Sequence, residues 1–305
     1  MVDPSLRRLF DRDLVAHHRD RAAGCFDQYA FLLVRESTQL LERLEDVSRT
    51  FETALDLGSH NGVAAQALID SGKAETVFAL ERSPDMARLA HARGFPTIIG
   101  DEEALPFKPG DLDLIVSLLS LHWVNDLPGA LVQARQALKP DGLFLGCLFG
   151  GGSLRELRTS LIAAETAILG GASARLSPLP GLQDMAGLLQ RAGFALPVVD
   201  LEHVTVRYSH PLKLIEDLRG MGEQAAFAPD GSGGRSSLSR RLIQATVEAY
   251  FDQFSDPDGK VRASFEIVWL SGWAPAESQP KPLKPGSGRT SLAEAVRRAG
   301  ENTQD

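Results

Sequence analysis

From Phe51 onward, short apolar runs alternate with amphipathic stretches, and this rhythm is the first structural signal in the chain. FETALDL ends at Gly58, and VAAQALIDSG follows at helical spacing. TVFAL ends at Glu81, and SPDMARLAHARG follows with Ser83 placed to cap a helix. PTIIG runs to Asp101, and DLDLIVSLL reads as a buried strand passing into a short helix. LPGALVQARQAL reads as a helix closed by KPDG, and LFLGCLFG as another buried strand. Strands alternating with helices of about ten to fifteen residues predict a mostly parallel, doubly wound α/β sheet.

After Gly150 the rhythm loosens. Helices are expected over LRELRTSLIAAETAIL, DMAGLLQRAGF and SRRLIQATVEAYFDQF, and strands over VVDLEHVTVRY and VRASFEIVWLSGW. APDGSGGRSS reads as a mobile loop. Before Phe51, residues 5–23 are highly charged. FDQYAFLLVRESTQLLERLEDV then reads as a helix on which Phe31, Val34, Thr38, Leu41 and Leu44 share a face. From Pro275 the composition turns to Pro, Ser, Gly and charge, the pattern of a disordered tail with a short helix at SLAEAVRRAG. The expected organisation is a helical cap over 1–50, a ligand-binding α/β domain over 51–274 with helical insertions after 150, and a tail over 275–305. No internal repeat is found.

Composition narrows the class. With 43% hydrophobic and 24% charged residues, the 305-residue chain can bury a sizeable core without a disulfide or metal staple. The formal net charge of -8 leans against nucleic acid as a partner. Cys25 and Cys147 make no disulfide framework, and Cys147 sits in an apolar run as a small buried hydrophobe. No stretch reaches the ~18–20 apolar residues of a membrane span. The first 24 residues lack an apolar signal core and carry four aspartates, which argues against a secretory or transit peptide. A cytoplasmic location is expected.

The candidate chemistry starts at Asp56-Leu57-Gly58-Ser59-His60-Asn61-Gly62, between a predicted strand and helix, where open α/β sheets bind ligands. Gly58 permits a tight turn, and Gly62 permits close packing of the helix. A dinucleotide loop starting at Gly58 needs glycines at positions 60 and 63, where His60 and Val63 stand, so NAD and FAD are disfavoured. No phosphate-binding G-x-x-x-x-G-K-[ST] loop occurs. Glu81, ending the second strand, can accept from both hydroxyls of a ribose.

These features resemble the class I S-adenosylmethionine-dependent methyltransferases, whose first motif is an acidic residue followed by G-x-G-x-G. His60 replaces the central glycine. Arg82-Ser83-Pro84-Asp85-Met86 is similar to their D-x-S-x-x-M run, and Gly100 to Phe107 to their G-D-x-x-x-L-P-F motif. Asp113 to Ser117 matches the fourth strand, and Leu138 to Gly142 the turn into the fifth. The resemblance implies the Rossmann-like fold of that class, with a seven-stranded mostly parallel sheet and helices on both faces. It implies S-adenosyl-L-methionine as cofactor, held by Asp56, Gly58, Ser59, His60, Gly62, Glu81, Arg82, Met86, Asp101, Glu102 and Ser117, with Asp101 accepting from the adenine amino group.

A closer resemblance rests on Leu9 to Leu14, Ser117 to Pro128, Phe149-Gly150-Gly151 and Glu216 to Glu223. These segments resemble the methyltransferase-like assembly factors of mitochondrial complex I and their bacterial relatives. That implies a protein substrate within NADH:ubiquinone oxidoreductase and arginine hydroxylation. Carrier-protein methyltransferases of the biotin pathway are more distant relatives by the same motifs.

On the substrate side, His122 and Trp123 follow the fourth strand. They are the candidate catalytic pair, since an imidazole beside a pocket can act as a base near neutral pH. The plainer alternative is that Trp123 packs and His122 caps a short helix. His60 either lies on the surface or contacts the cofactor carboxylate, and Tyr29 either covers the cofactor or packs. His18-Arg19-Asp20 has the H-x-D form of half an iron site, but on a charged helix it reads as a solvated face, and no metal site is expected. Methyl transfer, arginine hydroxylation and a non-catalytic assembly role all remain open at this point.

Overall fold

A computed structural model describes residues 8–228, 238–280 and 291. Most of the expected mobile loop and nearly all of the expected tail, with its SLAEAVRRAG helix, lie outside these residues. The chain divides after Pro275, and all helices and strands among the described residues belong to the part before it.

Seven strands form one sheet. Its centre is β1 (Phe51–Leu57) and β4 (Leu112–Leu118), flanked by β2 (Ala74–Glu81) and β3 (Thr97–Ile99) on one side and β5 (Leu138–Phe149) on the other. These five pair in parallel. Then β7 (Val261–Trp273) inserts antiparallel between β5 and β6 (Ala195–Tyr208), giving the order 3-2-1-4-5-7-6. The central strands are near-continuous apolar runs because helices cover both faces. Alternate residues feed the two layers of core: Ala54, Leu114 and Leu143 face one, and Leu55, Ile115 and Phe144 the other. The first layer is closed by α2 (Phe31–Glu45), α3 (Val63–Asp70) and α4 (Pro84–Ala92), and the second by α5 (Leu127–Ala137) and α7 (Leu182–Ala192). Over the insertion, α6 (Arg155–Leu169) packs on α9 (Arg240–Phe254), and α8 (Pro211–Gly220) lies beside them.

One sequence expectation is corrected here. The buried face of α2 is Leu32, Leu33, Glu36, Ser37, Leu40 and Leu44, while Phe31, Val34 and Thr38 are exposed. Burial of Leu32, Leu33, Leu40 and Leu44 in the core under α2 turns this stripe inward, and Arg35 and Arg43 at its flank then reach Glu202 and Asp200 on the edge strand β6. Those charges also mark β6 as an edge protected against further pairing.

The charged N-terminal segment forms α1 (Arg12–Ala23), capped by the Asp11 carboxylate on Leu14 N. It is not a solvated face. Its inward stripe is Arg12, Val15, Arg19 and Ala22, with two arginines where an amphipathic helix would carry apolar residues. Asn125 Oδ1 accepts from Leu9 N and Phe10 N, and the Phe10 ring packs edge-on against Trp123, centroids 5.2 Å apart. Asp20 accepts from Ser83 Oγ (2.6 Å) and Asp85 N (3.0 Å), adding negative charge to the N-terminus of α4. These ties hold α1 across the carboxyl ends of β2, β3 and β4.

Candidate functional site

The loop from β1 to α3 is built on three left-handed residues, Gly58 (φ 71°), His60 (φ 50°) and Gly62 (φ 81°). A Cβ on Gly58 would collide with Ser120, so glycine lets the loop close against the end of β4. At Gly62 a Cβ would sit 3.2 Å from Ala90 of α4. Asp56 accepts from Ala65 N (3.1 Å) and so fastens the loop to the first turn of α3. Burial raises its carboxyl pKa to about 7, with the Ala65 N–H opposing and the Glu81 charge adding.

His60 is buried, which removes the surface-loop alternative. Its ring stacks on Phe26, centroids 5.7 Å apart, and its Nε2 lies 3.2 and 3.3 Å from the carbonyls of Leu118 and Leu119. Two acceptors place the hydrogen on Nε2. Burial, then the Arg19 charge, pushes the imidazole pKa down to about 4, so it is neutral. Its Nδ1, together with Ser59 Oγ and Asn61 Oδ1, is buried without a hydrogen-bond partner.

Carboxylates line the ends of the next two strands, and each is met by an arginine of α1. Glu81, fully buried, accepts from His60 N and Ser83 N, both at 2.9 Å. Arg19 Nη1 straddles its two oxygens at 3.3 Å each, while Nη2 reaches Ser120 Oγ at 3.2 Å. Arg12 pairs with Asp101 (3.0 Å) and closely with Glu102, whose other oxygen accepts from Ser120 Oγ at 2.9 Å. Burial pushes the Glu102 carboxyl up, but Arg12 and Arg19 outweigh it and hold it below the usual range. Arg82 ties the outer side to Asp101 and Asp13.

Among the remaining expected residues, Ser117 Oγ donates to Leu57 O (2.7 Å), joining β4 to β1. Met86 is buried in the core below α4, its amide donating to the Ser83 cap. Tyr29 lies half-buried against Gly220, its hydroxyl 3.5 Å from Glu216.

His122 and Trp123 form a short 3-10 turn after β4, and both are buried. They border an open cleft walled by Phe149, Phe265, Leu176 and Leu218. Glu223 also lines it, and one carboxylate oxygen accepts from both His122 Nε2 and Trp123 Nε1 at 2.8 Å. Burial pushes the Glu223 carboxyl up, yet His122 and Arg19 outweigh it and hold it below the usual range. The structure therefore gathers Glu81, Asp101, Glu102, Ser59 and His60 around the two arginines of α1 at the carboxyl ends of the strands, with His122 and Trp123 on the cleft beside Glu223.

Sequence reasoning missed Arg12, Arg19, Ser120 and Glu223 as site residues. The arginines left a signal, a 12-15-19-22 stripe with cations at core positions. Glu223 ends the Glu216 to Glu223 segment of the family resemblance, but its role arises only when the chain after α8 packs against the end of β4.

A doubly wound sheet of this order, with carboxylates ending its second and third strands, defines a class I methyltransferase-type protein. A model of the methyltransferase domain matches residues 55–146. The human "Arginine-hydroxylase NDUFAF5, mitochondrial" is 38% identical over 300 residues, covering 96% of this chain and 85% of that protein. The malonyl-[acyl-carrier protein] O-methyltransferase of Halorhodospira halophila is 31% identical, covering 89% of this chain and 91% of its own length. In fold, the chain is similar to YcgJ from Bacillus subtilis, with a TM-score of 0.55 at 14% identity over 79% of this chain and 99% of that one. It is also similar to phosphoethanolamine N-methyltransferase 2 of Haemonchus contortus in complex with S-adenosyl-L-methionine, with a TM-score of 0.52 at 14% identity over 83% and 57%.

The chain belongs to the class I S-adenosylmethionine-dependent methyltransferase superfamily, in the family of the arginine-hydroxylase NDUFAF5 proteins. S-adenosylmethionine is the cofactor, and the donor set fits it. Glu81 and Glu102 offer buried acceptors at the ends of the second and third strands, and unpartnered polar atoms of Ser59, His60 and Asn61 lie alongside.

Proposed function

We propose that this enzyme modifies an arginine side chain of a respiratory complex I subunit during assembly, by hydroxylation. The observation that carries the reading is the 38% identity to arginine hydroxylases over nearly the whole chain. The buried His122–Glu223–Trp123 group beside the cofactor acceptors agrees with it. The complex I subunit as partner comes from the resemblance in the Leu9 to Leu14, Ser117 to Pro128 and Glu216 to Glu223 segments. We place the enzyme in the cytoplasm, a reducing compartment that suits the free thiols of Cys25 and Cys147.

In this reading Glu81 holds the ribose hydroxyls, and Asp101 and Glu102 lie on the adenine side. The neutral imidazole of His60 and the hydroxyl of Ser59 face the amino-acid end. Bound S-adenosylmethionine supplies an activated methyl group. His122, tied to Glu223 through Nε2, keeps Nδ1 free to take a proton from the substrate side. Trp123, fixed by its indole N–H, covers the substrate stem. Hydroxylation inserts one atom of dioxygen into a C–H bond and needs a two-electron donor to reduce the other atom to water. The relatives that are carrier-protein O-methyltransferases favour methyl transfer as the second reading. Intact mass of the complex I subunits from cells with and without this gene separates the two. A gain of one oxygen supports hydroxylation, a gain of one methyl group supports transfer, and no change contradicts both.

A further inference from the structure

The cleft beside His122 is mostly apolar, and among the described residues Glu223 is the one carboxylate lining it. The Glu223 side chain is 8% exposed, and its two oxygens are used unequally. Oε2 accepts from both His122 and Trp123. Oε1 is buried and has no hydrogen-bond partner among the described residues. A buried carboxylate oxygen left without a donor is costly, and charge-assisted donors are its strongest partners. The nearest cation is Arg19, whose Nη2 stands 3.9 Å away, beyond hydrogen-bond reach. Arg158, which lines the cleft where Arg19 does not, is turned to the carbonyl of Gly151 (3.4 Å).

Arg19 thus serves two sites with one rigid, planar head group. Its Nη1 occupies Glu81, the ribose acceptor, and its Nη2 points along the line to Ser120 and Glu223. Its Nε is buried without a partner, so the guanidinium is held incompletely. A cofactor that takes the Glu81 oxygens removes the contact that holds Arg19 near Glu223, because the two nitrogens move together. Glu223 then faces the cleft as a buried anion with an open oxygen, below an indole that Oε2 keeps in place. Apolar walls, an aromatic face and one buried carboxylate suit a long apolar stem ending in a delocalised cation.

We propose that Glu223 is the acceptor for the guanidinium of the substrate arginine, and that Arg19 holds its place until the cofactor occupies Glu81. This rests on the reading of the protein as an arginine-modifying enzyme. It adds the residue that recognises the side chain and an order of binding, cofactor first. The guanidinium would complete Oε1 while leaving the His122 and Trp123 contacts on Oε2 intact.

The test titrates the full 305-residue chain with three short peptides that differ at one position: arginine, its neutral isostere citrulline, or lysine. Each is measured with and without saturating S-adenosylhomocysteine. In the wild type with S-adenosylhomocysteine, arginine is expected to bind about ten- to a hundredfold more tightly than citrulline, with lysine between them. Glu223→Gln, which keeps the shape and an acceptor for Trp123, is expected to erase that preference. In Arg19→Ala, arginine-peptide affinity is expected to lose its dependence on S-adenosylhomocysteine. No binding of the arginine peptide to the wild type, equal binding of arginine and citrulline, or a preference that survives Glu223→Gln overturns the subsite. Continued dependence on S-adenosylhomocysteine in Arg19→Ala overturns the order of binding. The activity is judged separately. If the complex I subunits show no mass change while Glu223→Gln erases the preference, the proposed activity fails and the subsite stands. If the subunit is modified and Glu223→Gln keeps both the preference and the modification, the subsite fails and the activity stands.

Discussion

Arg19 lies across both carboxylate oxygens of Glu81, 3.3 Å from each, at the carboxyl end of β2. The pair is almost fully removed from water, with Arg19 2% exposed and Glu81 fully buried. Arg12 likewise pairs with Asp101 and Glu102, so one helix supplies a cation to each carboxylate that is proposed to accept from the cofactor.

Replacing Arg19 by Ala should therefore help the cofactor while harming the fold. S-adenosylhomocysteine no longer competes with an internal cation, and its affinity should rise by about three- to tenfold by calorimetry. Unfolding should become easier by about 3 kcal/mol, because Glu81 loses its charged partner. A weaker titration would place Arg19 in the cofactor shell.

Gly58→Ala should disable the site. The left-handed φ of 71° already disfavours a side chain, and the added Cβ has to displace Ser120, which Arg19 and Glu102 share. Cofactor binding should be lost while circular dichroism stays close to wild type. A variant that binds normally would show that the approach of the loop to Ser120 is dispensable.

Two buried groups give opposite pH dependences. Asp56 has a folded pKa raised to about 7, so the folded state binds more protons than the unfolded one between about pH 4 and 7. Its contribution to stability falls as pH rises through that window. His60 has a folded pKa lowered to about 4, so its contribution is complete above about pH 6.5 and is lost as pH falls toward 4. Asp56→Asn should remove the first effect and leave stability rising from pH 4 to 6.5 in chemical denaturation. A flat profile in that variant would contradict the neutral, buried state of His60.

His122→Ala and Trp123→Phe should keep S-adenosylhomocysteine affinity within a few fold and abolish modification of the complex I subunit in cells. Both touch Glu223 and the cleft, and neither touches Glu81, Asp101 or Glu102. Normal modification in both would assign the pair to packing, and loss of the cofactor would move them into its shell.

The strand–helix alternation and the loop from Asp56 to Gly62 were legible because local spacing dictates them. The same holds for Glu81 and Asp101, which end strands by position alone. The buried face of α2 was not legible, since Phe31 and Val34 satisfy the helical period as well as Leu33 and Leu40 do. What decided it was the sheet core that α2 covers, which takes up Leu32, Leu33, Leu40 and Leu44 and leaves Arg35 and Arg43 to pair with Asp200 and Glu202 about 160 residues further along. Arg19 looked like a solvated charge because its partner Glu81 is 62 residues away. Glu223 meets His122 across 101 residues, a contact that only the completed sheet creates.

The account turns on Glu81 being the cofactor's ribose acceptor once Arg19 has left it. The most direct measurement compares S-adenosylhomocysteine affinity of Arg19→Ala with that of the double variant Arg19→Ala/Glu81→Gln by calorimetry, which removes the ion pair from both sides of the comparison. The double variant should bind about ten- to a hundredfold more weakly, the loss of a charged acceptor for two hydroxyls. Equal affinity in the two proteins would contradict the account.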